Sequence, residues 1–405
     1  MRQQLLRTAA GLALAALAVF IAAPALLAGE EPPPSGAPPR LLDRFRQLDK
    51  NGDGRITADE FGGAPRLKAL DADGDGAVTL QEARTYLGGL RASAAGQQPA
   101  TPDAGTGRTR TAAPAPAFAD VRYGPHECNV LDFWKSSSDS PAPVVVFIHG
   151  GGFVGGDKSS VRGSPVLKAC LDGGAAFAAI NYRFRKDAPI QDILRDAARA
   201  VQFIRSRAPE WKVDKARIAC YGGSAGAGTS LWLAAHDDLA DPSSADPVLR
   251  ESSRISAAGC LGTQATYNLP RWESFLGQAR PEWLDSADES PAFYHLKSKA
   301  DFETPEGKRI LADCDMLALL SRGDPPVFVS NPQPDEPPTN RGHYLHHPAH
   351  AREIKKRCDE VGVECVLVSP GQAGGDRLPE FLLKHLGLRA AQASAQKGGE
   401  SEPRP

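Results

Sequence analysis

The sequence predicts an α/β fold, in which a mostly parallel, doubly wound sheet is preceded by a small all-α unit. Apolar runs of strand length, such as residues 143–148, alternate with amphipathic segments such as residues 190–207, a pattern typical of a sheet covered by helices on both faces. A strand–turn–helix pattern centres on Ser224, and a twelve-residue acidic loop occurs twice between residues 49 and 82. A chain of 405 residues is long enough for both units.

The first 28 residues have the pattern of a secretory signal peptide. Arg2 and Arg7 precede an apolar stretch over residues 9–23, and small residues suited to cleavage follow up to Ala28. The apolar stretch is short for a membrane span. We therefore expect a secreted or periplasmic protein without stable membrane insertion after cleavage, and an uncleaved anchor is the alternative. Residues 29–40 are rich in proline and predict a spacer.

Charge and cysteine content exclude several kinds of partner and site. The 47 basic and 49 acidic residues give a net charge of −2, which does not indicate nucleic acid or an anionic membrane as the main partner. The seven cysteines include no Cys-x-x-Cys pair, which argues against a cysteine zinc site. Export would permit disulfides, but their connectivity cannot be read from the sequence.

The two acidic loops share one pattern over twelve positions. Each has oxygen-bearing side chains at positions 1, 3 and 5, glycine at 6, an apolar residue at 8, threonine at 9 and glutamate at 12. This is the EF-hand calcium loop, in which position 7 contributes a backbone carbonyl. A solvated acidic loop is the alternative, but it would rarely repeat these seven positions in register. The predicted Ca2+ ligands are Asp49, Asn51, Asp53, Arg55, Thr57 and Glu60, then Asp71, Asp73, Asp75, Ala77, Thr79 and Glu82.

The domain organisation follows from where the patterns begin and end. Residues 41–90 form the predicted EF-hand pair, whose short linking helix favours a structural clip over a switch. Residues 91–116 lack an apolar period and predict a flexible linker, and residues 391–405 predict a disordered tail. Residues 117–390 form the predicted large domain.

Residues 216–226 place Ser224 in a tight turn. An apolar strand over residues 217–221 leads into Gly222-x-Ser224-x-Gly226, and a helix over residues 229–236 follows. This is the context of a nucleophile elbow, in which a strained turn lifts a serine hydroxyl off the sheet. A glycine-rich nucleotide-binding turn is the alternative, but it requires Gly-x-Gly-x-x-Gly spacing.

A second glycine motif carries a family resemblance. His149 and three glycines, residues 150–152, directly follow the apolar strand 143–148. With this motif ahead of the serine motif, residues 117–388 resemble the α/β-hydrolase esterases and lipases with an HGGG oxyanion loop. The resemblance implies a serine nucleophile and no cofactor in the hydrolase domain. It also implies that the oxyanion donors are the backbone N–H groups of Gly151, Gly152 and Ala225. For His149 we expect a structural role, bracing the loop.

The remaining two triad positions are less regular. Asp335 follows a strand over residues 325–330, where the resemblance implies the triad acid, with Glu336 as a neighbouring candidate. In this proline-rich segment, a solvated loop acid is the alternative. After the last strand, residues 363–369, Gly374 stands where the family has its histidine, and His385 lies in the closing helix. The general base is therefore not identified.

A histidine cluster after Asp335 leaves two interpretations open. One histidine of the cluster could reach the active site, or the cluster could serve the start of the following helix by capping it or contacting substrate. The sequence favours the second interpretation, so substituting any of the first three should change a rate less than about tenfold. The cluster comprises His343, His346, His347 and His350.

Two functional hypotheses follow from these patterns. The first is an exported serine esterase or lipase-like hydrolase of small or carbohydrate-linked acyl esters, with a calcium-binding EF-hand module. The alternative is a catalytically impaired binding protein with the hydrolase fold, a pseudoenzyme. Gly374 is the feature that discriminates between them.

Overall fold

The chain divides into two compact units, Met1–Thr109 and Arg110–Pro405. The computed structural model describes residues 114–284, 289–368 and 377–389, preceded by residues 45, 48–50, 55–57, 60, 77–79 and 83. The predicted signal peptide, the spacer, most of the linker, the tail and Gly374 lie outside the described residues.

The first unit contains a short antiparallel pair, β1 (Arg55–Thr57) and β2 (Ala77–Thr79). Ile56 lies opposite Val78, and Arg55 and Thr57 lie opposite Thr79 and Ala77. Positions 7, 8 and 9 of one acidic loop therefore pair with positions 9, 8 and 7 of the other. Ile56 and Val78 are both buried. The repeat seen in the sequence is thus a local two-fold pairing, with the apolar residue of each loop in its core.

The second unit is built on an eight-stranded sheet with the order β10-β9-β8-β7-β5-β6-β4-β3. All neighbours are parallel except those of β4, which is antiparallel to both β3 and β6. The prediction of a mostly parallel sheet is confirmed. The strands are β3 (Phe118–Arg122), β4 (Val130–Trp134), β5 (Ala142–Ile148), β6 (Ala176–Ile180), β7 (Val213–Gly223), β8 (Ala257–Leu261), β9 (Val327–Ser330) and β10 (Cys365–Val368).

Helices connect the strands of this sheet. Short 3₁₀ turns lie at Lys158–Val161, Leu269–Trp272, Pro281–Trp283 and Lys299–Glu303. The α-helical segments are α1 (Pro165–Asp172), α2 (Ile190–Ser206), α3 (Ala208–Trp211), α4 (Ala225–Ala235), α5 (Glu273–Leu276), α6 (Glu289–Ala292), α7 (Pro305–Asp313), α8 (Met316–Leu319), α9 (Arg341–Leu345), α10 (Pro348–Val361) and α11 (Leu378–His385).

Alternating side chains of β5 belong to two separate cores. Val144 and Val146 pack in one cluster with residues of α2, α4 and α10, whereas Val145 packs in another with residues of α1 and α11. Successive strand residues point to opposite faces, so the sheet is covered on both sides. The carboxyl ends of parallel strands meet at one edge, which brings together the loops after β5, β7, β8 and β9.

Candidate active site

Ser224 occupies a strained turn between β7 and α4. Its backbone has φ 51° and ψ −116°, in the left-handed half of φ space that L residues rarely adopt. A Cβ added at Gly222 would lie 2.3 Å from the Ile148 carbonyl oxygen, and one at Gly226 would lie 1.9 Å from the same atom. Only glycine fits at these positions, because the turn packs directly against the end of β5. The geometry is that of a nucleophile elbow.

His346 lies beside this serine. Its Nε2 is 2.8 Å from Ser224 Oγ, and its Nδ1 is 3.0 Å from the Gly342 carbonyl oxygen. A carbonyl oxygen can only accept a hydrogen bond, so this contact assigns the ring proton to Nδ1 and leaves a lone pair on Nε2 for the serine O–H. Burial lowers the pKa of His346, opposed by the bond to Gly342. The imidazole is therefore neutral near pH 7, as a general base must be.

The structure corrects the expectation for the histidine cluster. The interpretation that favoured capping or substrate contact is wrong for His346, whose imidazole contacts the serine. It holds for His347, whose Nδ1 accepts a hydrogen bond from the Ala349 N–H at the start of α10, at 3.1 Å. His343 contacts the Pro334 carbonyl oxygen at 2.8 Å. No local signal separates these neighbours, because the contact joins residues 122 positions apart.

Asp335 does not contact His346 in this structure. Its carboxylate pairs with Arg352 at 2.5 Å and lies 4.0 Å from His347 Nε2, and its side chain is about half exposed. The hydrogen bond from Arg352 is the main reason why its pKa is lowered. The Asp335 carboxylate is therefore held by the neighbouring guanidinium of Arg352 and not by His346. Glu336 contributes its backbone carbonyl, which lies 2.8 Å from His347 Nε2.

The glycine loop after β5 lies against the elbow. A Cβ added at Gly150 would lie 2.7 Å from the Gly223 carbonyl oxygen and 3.6 Å from Ser224 Cβ. Gly151 and Gly152 have φ 111° and 61°. Ala225 is the first residue of α4, so its N–H has no carbonyl partner within the helix. The oxyanion roles of Gly151, Gly152 and Ala225 stay predictions.

His149 is packed inside the protein at the start of the glycine loop. Its ring stacks on Tyr182 with centroids 4.2 Å apart, and its carbonyl accepts a hydrogen bond from the Tyr182 hydroxyl at 2.6 Å. Burial lowers the pKa of His149. These are the contacts expected of a residue that braces the loop.

A pocket of about 440 Å³ opens at the serine and the histidine. Its described lining includes no Asp, Glu, Lys or Arg side chain. Apolar side chains of β5, β8 and the start of α1 line the pocket together with the serines Ser160 and Ser164. Besides Ser224 and His346, the lining residues are Phe147, Gly150, Ser160, Val161, Ser164, Val166, Tyr221, Gly222, Gly223, Leu261 and Gly262.

Part of the first acidic loop is also described. The Glu60 carboxylate accepts hydrogen bonds from the Lys50 N–H at 3.0 Å and from the N–H and hydroxyl of Thr57, each at 2.9 Å. The position-12 carboxylate is thus folded over its own loop, as a calcium ligand from this position must be. Of the other predicted ligands, Asp49, Arg55, Ala77 and Thr79 are described, whereas Asn51, Asp53, Asp71, Asp73, Asp75 and Glu82 lie outside the described residues.

Comparisons with known proteins agree with both units. Residues 131–274 match the BD-FAE family, and residues 42–62 and 65–85 match the EF hand. A probable isoprenylcysteine alpha-carbonyl methylesterase of Arabidopsis thaliana is 30% identical over 150 residues, which cover 37% of this chain and 31% of that protein. The esterase LipC of Mycobacterium tuberculosis is 28% identical over 215 residues, or 52% and 49% of the two chains. The chain thus spans a third to a half of these relatives' length.

The fold is also shared with solved structures. A truncated carbohydrate esterase from gut microbiota superposes with a TM-score of 0.54 at 15% identity, covering 70% of this chain and all of that one. At this identity the likeness concerns the fold alone. Among the described residues, no helix has the length and apolar character needed to cross a bilayer.

Proposed function

We propose that this chain, which belongs to the α/β-hydrolase superfamily and carries an EF-hand pair before its esterase-type domain, is an exported serine hydrolase of small carboxylic esters. The observation that carries the proposal is the 2.8 Å contact between Ser224 Oγ and His346 Nε2, at the strained elbow and beside the glycine loop.

The proposed reaction uses this pair as nucleophile and base. The Ser224 oxygen attacks the ester carbonyl carbon while its proton moves to His346 Nε2. The Nδ1–H stays on the Gly342 carbonyl, which keeps the ring in the correct tautomer throughout. The imidazolium then gives its proton to the departing alcohol, and a water molecule hydrolyses the acyl-enzyme by the same route in reverse. Backbone N–H groups of Gly151, Gly152 and Ala225 stabilise the oxyanion.

The pocket supports a small, uncharged substrate. Its volume of about 440 Å³ lies at the lower end of the range for small-molecule sites. A charged acyl or alcohol group would lose its hydration there without gaining an opposite charge. The hydroxyl groups of Ser160 and Ser164 provide hydrogen-bonding partners for a hydroxylated alcohol, so carbohydrate-linked esters are included in the proposal.

The EF-hand pair would bind Ca2+ with a structural role. Two observations support this: the position-7 residues Arg55 and Ala77 begin the paired strands β1 and β2, and the Glu60 carboxylate accepts from the Thr57 N–H at 2.9 Å. The remaining ligands would be the acidic and amide side chains of the two loops. Bound calcium would neutralise the clustered carboxylates and fix both loops.

A second candidate is the impaired, ligand-binding form of the same fold. The observation that favours it is that His346 Nδ1 bonds to a backbone carbonyl, where a complete triad has a carboxylate. Such a protein would bind esters in the same pocket with very slow turnover.

The test is hydrolysis of 4-nitrophenyl acetate by the wild type, Ser224→Ala and Ser230→Ala. Ser230 is the matched control, because it is a buried serine on α4 whose hydroxyl donates to the Gly226 carbonyl, at 2.9 Å. We expect Ser224→Ala to fall to the background rate, whereas Ser230→Ala keeps most of the activity. A phosphonylating reagent should add one covalent group to the wild type and none to Ser224→Ala. Equal rates in the wild type and Ser224→Ala would refute the proposed function.

A further inference from the structure

The segment that carries His346 is held by its backbone carbonyls. Residues 344–347 run from the last two residues of α9 to the residue before α10, where the carbonyls of a short helix have no partners within it. Each of these four consecutive carbonyls accepts a hydrogen bond from a buried side chain of another element. The donors are His350 for residue 344, Gln264 for residue 345 and Asn331 for residues 346 and 347.

Asn331 makes the most contacts of the three donors. It follows the last residue of β9 and is 1% exposed. Its Nδ2 lies 3.2 Å from each of the His346 and His347 carbonyl oxygens and 2.9 Å from the Thr263 carbonyl oxygen, while its Oδ1 accepts from the Thr263 N–H at 3.0 Å. One amide therefore joins the loop after β8 to the backbone of the base residue.

The other two donors tie the same segment to the same loop. Gln264 Nε2 donates to the Leu345 carbonyl at 2.8 Å. His350 Nδ1 accepts from the Ala265 N–H at 3.1 Å, so its Nε2–H faces the Tyr344 carbonyl at 3.3 Å. Residues 263–265 and 344–347 thus run side by side. We call Asn331, Gln264 and His350 the carbonyl clamp.

In a complete triad a carboxylate orients the histidine, and here the carbonyl clamp would take that role. The contact of His346 Nδ1 with Gly342 lies within its own short helix, so it fixes the ring relative to that helix but not relative to Ser224. The position of the imidazole over the serine depends on where residues 344–347 lie against the sheet edge. A misplacement of about 1 Å at a catalytic group can cost a hundredfold in rate.

We propose that the carbonyl clamp, and Asn331 above all, is a positioning device that holds the His346 imidazole against Ser224. It rests on the proposed function of this pair, and it assigns Asn331 a role in the reaction without contact with substrate. Within the part of the chain that the structure describes, no carboxylate bonds to the His346 ring to orient it. The clamp instead fixes the backbone of residues 344–347, and the backbone fixes where the imidazole lies.

The test compares Asn331→Ala with Gln202→Ala. Gln202 is a matched control: it is a buried amide, 2% exposed, whose Nε2 also donates to three backbone carbonyls, those of Leu239, Leu249 and Glu251. It lies on α2, away from Ser224. Both variants lose a buried amide, but only one loses contact with the base segment. Gln264→Ala, which removes one bond of the clamp, is the milder variant if Asn331→Ala does not fold.

The first readout is the pKa of His346, followed by NMR through its ring proton and assigned with His346→Asn. In the wild type, burial keeps this pKa below its usual value near 6.5. The titratable groups around it are His347, next in the chain, and His350 on α10, whose pKa burial lowers to about 3, so that His350 stays neutral. Asn331→Ala should release the segment to solvent and raise the His346 pKa by about half a unit or more, whereas Gln202→Ala should leave it unchanged.

The second readout is ester hydrolysis. We expect Asn331→Ala to lower kcat by about ten- to a hundredfold and to change KM less than about threefold, because the pocket walls are intact. The acid limb of the pH–rate profile should move upward with the His346 pKa. An unchanged His346 pKa in both Asn331→Ala and Gln264→Ala, or equal changes in the Gln202→Ala control, would overturn the proposal. The NMR titration of His346 needs no turnover. An inactive wild type would therefore refute the proposed function, while the NMR result would still decide whether the clamp positions His346.

Discussion

Replacing His346 with asparagine removes the imidazole that lies 2.8 Å from Ser224 Oγ, while the smaller amide fits the same space. The expected loss follows from the partners of the ring. In a complete triad, loss of the serine or histidine costs about 2 × 10⁶ in kcat, and loss of the aspartate alone costs about 3 × 10⁴. Their quotient, roughly 70, is what the serine–histidine pair contributes once the carboxylate is gone. His346 Nδ1 bonds to the Gly342 carbonyl, so we expect His346→Asn to lower kcat about a hundredfold.

The matched control for this experiment is His347→Asn. His347 is adjacent and caps α10 with its Nδ1, and asparagine is itself a good N-cap residue. We expect this variant to keep kcat within about threefold of the wild type. The assay is 4-nitrophenyl acetate turnover between pH 5 and 9. The wild-type acid limb should lie below pH 6.5, because burial lowers the pKa of the base.

Two results would refute this reasoning. A fall of less than about fivefold in folded His346→Asn would mean that the serine is activated by another group. A fall of about a millionfold would mean that His346 works with a full triad, so that a carboxylate supports the ring during turnover.

Three further outcomes are expected. Asp49→Ala combined with Asp71→Ala should remove the Ca2+-dependent rise in the melting temperature of the first unit. The melting transition of the second unit should stay unchanged, because each compact unit has its own buried core. Calorimetry with and without Ca2+ checks this, and a shift of both transitions would contradict it. Gly226→Ala should lower the melting temperature by about 5–10 °C, because the added Cβ would lie 1.9 Å from the Ile148 carbonyl oxygen. Gly223→Ala should be tolerated, since its Cβ would lie 3.9 Å from the nearest atom, the Leu261 carbonyl oxygen. Equal melting temperatures of the two variants would show that the elbow has room for a Cβ. Burial lowers the pKa of His350 to about 3, so this side chain is neutral in the folded protein but takes up a proton below pH 6.5 in the unfolded chain. Its contribution to the free energy of unfolding is therefore complete above pH 6.5 and falls by up to about 5 kcal/mol as the pH drops to 3. Urea titrations at pH 7, 5 and 4 should show that the free energy of unfolding depends less on pH in His350→Gln than in the wild type, and parallel curves would refute this.

The sequence alone determined the features that depend on neighbouring residues. The elbow at Ser224 needs glycine at positions 222 and 226 because the end of β5 lies within contact distance of both. The residues that form this turn are consecutive, so their spacing can be recognised in the sequence alone. The apolar run of residues 143–148 predicted β5 to within one residue, since a strand buried on both faces needs a continuous apolar segment. The run of residues 217–221 predicted only the central part of β7, which begins at Val213 and ends at Gly223. The repeat of the two acidic loops was also visible in the sequence, whereas the pairing of Ile56 with Val78 across them is a finding of the structure.

Only the tertiary structure decided which side chains meet at the serine. His343, His346 and His347 lie within five residues and look equivalent in the sequence, yet one of them contacts Ser224, while another caps α10. The selection depends on where residues 344–347 lie, and that position is set by long-range bonds from Asn331 and Gln264.

The same reason explains the outcome for Asp335. Its position after β9 suited a triad acid, but Arg352, one turn into α10, lies closer to its carboxylate than any imidazole does. An exposed carboxylate pairs with the nearest well-placed cation, and which cation is nearest depends on how a helix and a loop pack. Pairings of this kind join residues far apart in the chain, so the local pattern that fixed the elbow carries no information about them.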